Sequence, residues 1–237
     1  MKSAQQQRGQ QMKVRATLIA AALATAVAAS ANATVIFTLG NDPQPDEENI
    51  LFNGAGTNPG PDTTVTGLTN TSNLFVFFTS DENLVTPANG QARVEAEDGA
   101  FDNLSLGVQG GTFGDFILNP IITGQEGPPL TGTVDVTVNL VNEAPATFTY
   151  NVSSSGNNFL TITTADGERI SSIDIASSAE LTFMDLQQPR ISTATNCPEG
   201  STDPLCTGPR PVPEPGILGL MGLGLTTLVA LRRRKKH

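Results

Sequence analysis

The chain has 237 residues, 38% of them hydrophobic, with 13 Lys and Arg against 23 Asp and Glu and a formal net charge of −10. Its single histidine is His237, so no His-based acid–base pair, Ser-His-Asp triad or zinc site can form in the body. No Gly-x-Ser-x-Gly elbow or phosphate-binding Gly-x-x-x-x-Gly-Lys loop occurs, and the acidity argues against a nucleic-acid partner. The composition therefore points to a protein that is not an enzyme.

Residues 1–11 are polar and glutamine-rich. From Met12 the chain reads Met-Lys-Val-Arg, then an Ala- and Leu-rich run from Ala16 to Ala29, then Ala31-Asn32-Ala33. A basic start, a short apolar run and a small-x-small site predict a signal peptide over residues 1–33, with Met12 as an alternative initiator. Cleavage after Ala33 would make Thr34 the first mature residue; cleavage after Ala31 is the near alternative.

Residues 34–192 are rich in Thr, Ser, Asn, Gly and Val, which favours strands and turns over helices. In Thr133–Leu140, Val134, Val136, Val138 and Leu140 share one face, while Thr133, Asp135, Thr137 and Asn139 share the other. Phe148, Tyr150 and Val152 alternate in the same way with Thr147, Thr149 and Asn151. With Glu143-Ala144-Pro145 between them, the two runs read as an antiparallel hairpin. Further strands are expected at Val35–Leu39, Leu74–Thr79, Gln91–Glu97, Leu104–Val108, Asp115–Leu118, Phe159–Thr164, Ile170–Ile175 and Leu181–Asp185. Their separators are turn chemistry, such as Pro87-Ala88-Asn89-Gly90 and Asp166-Gly167. The expected fold is all-β, an antiparallel β-sandwich of jelly-roll or Ig-like type.

Glu95 and Glu97 are two apart, so on a strand their carboxylates would leave one face, with Asp98 and Asp102 close by. Converging oxygens of this kind suit Ca²⁺, which takes 6–8 of them. The competing reading is an acidic, solvated strand face that needs no ion and no cofactor. Asp42, Asp46, Glu47 and Glu48, among Pro43 and Pro45, read as a solvated loop.

Residues 193–211, rich in Thr, Pro and Gly, are expected to form an exposed linker. Cys197 and Cys206 lie within it, and an exported chain favours a disulfide between them. All 23 acidic residues lie between Asp42 and Glu214, where they are opposed by Arg93, Arg169, Arg190 and Arg210 alone, a net charge of 4 − 23 = −19. Such a body would meet acidic polymers only through divalent cations.

The last segment, 212–237, opens with Val212-Pro213-Glu214-Pro215, continues uncharged from Gly216 to Leu231 and ends with Arg232, Arg233, Arg234, Lys235 and Lys236. At ~1.5 Å per residue the uncharged stretch spans roughly 24 Å as a helix, short of a ~30 Å hydrocarbon core but extendable by snorkelling arginines. The basic cluster would act as a stop-transfer anchor on the cytoplasmic side. The Pro-Glu-Pro signal, the predicted transmembrane helix and the basic end together resemble the PEP-CTERM sorting domain. That resemblance implies recognition by a membrane-embedded exosortase, cleavage near Val212–Pro215 and delivery of the protein to the cell surface or exopolysaccharide matrix.

Parts of the body also look familiar. Thr79-Ser80-Asp81-Glu82, Gly90–Gly99, Asn157–Ile162 and Asp185–Ser192 are similar to a sandwich body found in many PEP-CTERM proteins, and no enzymatic activity comes with that resemblance. Glu95-Ala96-Glu97 and Asp185 are also similar, more faintly, to the opening and closing strands of carbohydrate-binding jelly rolls. The absence of Trp and the single Tyr150 depart from that pattern, because sugar rings usually stack on aromatic platforms. The expected role is thus structural or interactive in the envelope or matrix. The alternatives are a Ca²⁺-dependent carbohydrate-binding module and an uncleaved membrane-anchored periplasmic protein.

Overall fold

The computed structural model describes residues 34–87, 92–122, 130–165, 167–178, 181–198, 200–202 and 206. The expected signal peptide and sorting segment lie outside them. Among the described residues no helix is long and apolar enough to cross a membrane.

The body starts with β1 (Val35–Leu39), β2 (Glu47–Leu51), β3 (Asp62–Thr69), β4 (Phe75–Val85) and β5 (Arg93–Ala96). Next come β6 (Asn103–Val108), the short β7 (Gly111–Thr112), β8 (Asp115–Ile122) and β9 (Thr131–Leu140). It closes with β10 (Ala146–Ser153), β11 (Leu160–Thr164), β12 (Ile170–Ser177), β13 (Phe183–Ser192) and the short β14 (Thr195–Asn196). The architecture is all-β and its ladders are antiparallel.

The period-2 pattern fixes the register. On β9, Val134, Val136 and Val138 are fully buried while Asp135 is exposed. β10 pairs with it so that Val136 faces Phe148 and Val134 faces Tyr150. The connecting turn places Asn142 at φ 63°, a left-handed conformation that Asn tolerates.

Strand pairing runs β1-β11-β8-β13-β2-β3-β4-β6-β12-β9-β10, and β5 joins both β13 and β4. The two ends of this path meet, because Phe37 of β1 stacks on Phe148 of β10. The path therefore doubles back into a sandwich-like pair of layers. Between them lies a core whose largest fully buried side chains include Phe78, Phe101, Phe113, Phe116 and Phe183. β13 lies beside β8 along its length; on its other edge Asp185–Gln187 pair with β5, and Arg190–Ser192 pair with β2. Its register against β8 shifts between Gln187 and Arg190, where Gln188 sits at φ 50°. A bulge at this point lets Pro189 lie in the strand without a ladder donor.

Several elements depart from the sequence reading. β4 runs on to Val85 and β13 to Ser192. Glu47 and Glu48 lie in β2 rather than in a solvated loop. There Glu47 pairs with Arg190 at 2.5 Å, and Glu48 caps the 71–72 turn by accepting 2.7 Å bonds from the Thr71 and Ser72 amides. The segment after Ser192 also begins differently from an exposed linker. Thr195 and Asn196 pair with Thr112 and Gly111, and Arg169 Nη2 donates to the Thr193 carbonyl at 2.5 Å.

Candidate functional site

The neighbouring stretches of β5 and β13 bring four polar side chains together. Their antiparallel register sets Glu95 opposite Asp185 and Arg93 opposite Gln187. Strand alternation sends Val94, Ala96 and Leu186 into the core and turns these four to the other face.

The Arg93 guanidinium pairs with Glu95 and stands 3.6 Å from Asp185 Oδ2. Gln187 Nε2 donates to the same Oδ2 at 3.2 Å. The Arg93 side chain is 36% exposed and that of Asp185 is 0% exposed. Asp185 Oδ1 is buried and has no hydrogen-bond partner. Burial pushes the Asp185 carboxyl up and Glu95 adds to the rise, while the Gln187 hydrogen bond and the Arg93 charge oppose it. The group is a cation shared by two carboxylates of unequal exposure, with an amide beside them. Its donors are the Arg93 guanidinium and the Gln187 amide, and its acceptors are the two carboxylates.

Beyond Gln187, β8 contributes Asn119, whose Oδ1 accepts from the Asn158 amide at 2.8 Å. Asn158 Nδ2 donates to the Pro120 and Ser153 carbonyls, and the Tyr150 hydroxyl donates to the Asn158 carbonyl at 3.3 Å. This amide network holds the 153–158 loop in place. Tyr150 is buried, which pushes its phenol well above the usual range. All 11 Phe residues and Tyr150 are described, and none belongs to the exposed class. Phe37, Phe52, Phe75, Phe77, Phe148 and Phe159 are half-buried, and the other aromatic side chains are buried.

The four acids singled out as calcium ligands are not brought together by one strand face. Glu95 is on β5, but the strand ends at Ala96 and Glu97 lies in the following turn. Glu97 Oε2 accepts from Asn83 Nδ2 at 3.0 Å, and Asp98 Oδ1 accepts from the Ala100 amide at 3.4 Å. Asp102 offers its backbone carbonyl to Ser177. Among the described residues no group of three or more His, Cys, Asp or Glu is arranged to hold a metal ion. Cys197 and Cys206 are disulfide-bonded, with their Cα atoms 5.3 Å apart. Ala31, Ala33, Val212–Pro215 and the basic cluster 232–236 lie outside the described residues. Sequence reasoning missed the Arg93–Gln187 side of the patch and the Glu47–Arg190 pair, since each joins residues about a hundred or more apart in the chain, a separation that leaves no local pattern.

Fold and charge together define an acidic all-β body that precedes a C-terminal targeting segment. Residues 211–235 match the PEP-CTERM protein-sorting motif, so the chain carries the sorting signal of an exosortase substrate. No curated protein matches the chain. Among solved structures, a mutant of CBM29-2, a family 29 carbohydrate-binding module, is similar at 13% identity and a TM-score of 0.20. That alignment covers 73% of this chain and 99% of the module, and at such a TM-score it carries no argument.

Proposed function

We propose that this protein is an exported structural or interaction component of the bacterial envelope or exopolysaccharide matrix, delivered there by exosortase processing. The observation that carries the reading is the sorting motif at 211–235, joined to a body whose acids far outnumber its four arginines. Export begins with removal of the signal peptide. The segment from Gly216 to Leu231 then holds the precursor in the inner membrane until it is cut near Pro213–Pro215. A body of this charge stays soluble and associates with acidic matrix polymers through divalent cations. No enzymatic activity is part of the proposal. Replacing Glu214 and Pro215 by Ala should leave unprocessed precursor in the inner membrane, and normal processing of that variant would overturn the assignment.

We further propose that the body is a jelly roll. In support, β5-β13-β8-β11 and β6-β12-β9-β10 are neighbouring series. From β5 onward the principal strands alternate between the series, apart from the β9–β10 hairpin, which is the double Greek-key order of that fold.

A second reading is a Ca²⁺-dependent carbohydrate-binding module. Its support is Asp185 beside Glu95, with one carboxylate oxygen unpartnered. The Arg93 charge already facing both carboxylates and the lack of exposed aromatics weigh against it. This reading requires a rise in melting temperature at millimolar Ca²⁺, and an unchanged melting temperature would remove it. The third reading, a membrane-anchored periplasmic protein whose tail is never cut, is separated from the first by intact mass.

A further inference from the structure

Thr34 directly precedes β1, whose ladder with β11 sets Val35 opposite Thr164. One more bond extends that ladder, from the Ala165 amide to the Thr34 carbonyl at 3.1 Å. The chain then turns back through Gly167, at φ 82°, to Glu168. Glu168 is clamped by its backbone: its amide donates to the Ala165 carbonyl at 3.0 Å, and its carbonyl accepts from Thr164 Oγ1 at 2.9 Å. The side chain returns to the start of β1, where Glu168 Oε1 accepts from the Thr34 nitrogen at 3.0 Å.

Glu168 is only 7% exposed, and its Oε2 is buried without a hydrogen-bond partner. Arg169, the next residue, turns instead to Thr112 and Thr193. A buried carboxylate with one unsatisfied oxygen is costly. The Thr34 peptide N–H has one hydrogen to give, and it is already engaged with Oε1.

We infer that hydrolysis of the Ala33–Thr34 bond completes this site, the freed α-ammonium of Thr34 becoming the counter-ion of the buried Glu168 carboxylate. The cleavage is an ordinary leader-peptidase hydrolysis in which water is the co-reactant. The Ala33 carbonyl carbon gains a C–O bond as its C–N bond breaks, Ala33 departs as a carboxylate, and the Thr34 nitrogen takes up a proton. An ammonium has three donors and a full charge where the amide had one donor and none, so it can serve both carboxylate oxygens. The site also distinguishes the two candidate cleavage bonds. Cutting after Ala31 would keep an amide at Thr34 and leave Oε2 as it is, whereas cutting after Ala33 pairs it. Processing would thus tie the new end of β1 to the turn after β11. The inference rests on the exported reading proposed above.

The chain suits a direct test, since its lysines are Lys2, Lys13, Lys235 and Lys236 alone. Once the leader is removed, the Thr34 amine is the only amine before Lys235. The exported protein would be isolated from its host, its N-terminus read by mass spectrometry, and its amines acylated with a limiting N-hydroxysuccinimide ester. The expected result is a chain beginning at Thr34 whose α-amine reacts about tenfold more slowly in the folded protein than in urea, because a neighbouring carboxylate holds its proton. Glu168→Gln should abolish that protection in a protein that stays folded by circular dichroism. The comparison with urea needs no variant and decides the matter if Glu168→Gln does not fold. A chain beginning at Met1 or Met12 would remove the exported reading and the inference with it. One beginning at Asn32, or at Thr34 with an amine equally reactive in folded and unfolded protein, would overturn the ion pair alone.

Discussion

Phe37 of β1 and Phe148 of β10 stack with ring centroids 4.8 Å apart and planes inclined by 14°. These strands stand at opposite ends of the pairing path, so the contact closes the two layers over the core. Phe148 lies 6.2 Å from Tyr150 in turn, extending the aromatic row down β10. Aromatic pairs contribute ~0.5–1.5 kcal/mol beyond area burial. A double-mutant cycle of Phe37→Leu and Phe148→Leu, followed by urea unfolding, should return a coupling energy in that range. Strict additivity would mean that the layer ends are held by other contacts.

The carboxyl of Asp185 yields a pH dependence of defined sign. Burial raises its affinity for a proton in the folded state, so the native protein binds more protons than the unfolded chain between the ordinary carboxylate range and the raised value. Stability from this group is therefore greatest in acid and is lost as pH rises through that window. Asp185→Asn, which keeps the shape without the charge, should gain in stability relative to the parent as pH rises from about 3 to 7. Denaturant titrations at the two pH values check this; a gap that narrows or reverses would mean that the Arg93 charge outweighs burial.

Arg190 bridges strands that sequence reasoning did not join. It pairs with Glu47 of β2 at 2.5 Å and donates to Asn41 Oδ1, both partners lying more than 140 positions earlier in the chain. Arg190→Ala should destabilise the fold by ~1.5–3 kcal/mol, the range for hydrogen bonds to charged groups. Loss of protection in β2 by hydrogen exchange should accompany it. A neutral effect would mark the pair as a solvent-screened surface contact.

Gly111 allows the β7–β14 contact. A Cβ at that position would lie 2.2 Å from the Thr195 carbonyl oxygen, a backbone atom with little freedom to move. Gly111→Ala should therefore detach residues 195–196 and speed proteolysis ahead of the Cys197–Cys206 disulfide, with the core unfolding transition nearly unchanged. Unaltered cleavage kinetics would show that the segment is held from elsewhere.

How much of this was legible in the sequence follows from where each residue's partners lie. The β9–β10 hairpin reads directly, because every second residue is Val, Phe or Tyr and its partners are near in sequence. β2 has one fully buried apolar residue, Ile50, among acids and Asn. β3 buries Gly67, whose missing side chain makes room for Ile50 and Phe52. Neither leaves a period-2 signal, because the core volume at that point is supplied by another strand. β4 continues beyond Thr79 through Ser80-Asp81-Glu82-Asn83, where Ser80 Oγ bonds the Asn103 carbonyl and Leu84 regains the core. Among candidate sites, Glu95 and Asp185 could be named from their strands, but the ending of β5 at Ala96 separates Glu97 from them. Gly99 at φ 97° turns the chain just after it.

Intact mass combined with cell fractionation measures whether the protein is exported and then cut at its C-terminal motif. In an exosortase-bearing host the expected product is a mature chain that begins at Thr34, ends near Pro213–Pro215 and is recovered from the envelope or matrix. A chain still ending at His237 in the inner membrane would contradict it.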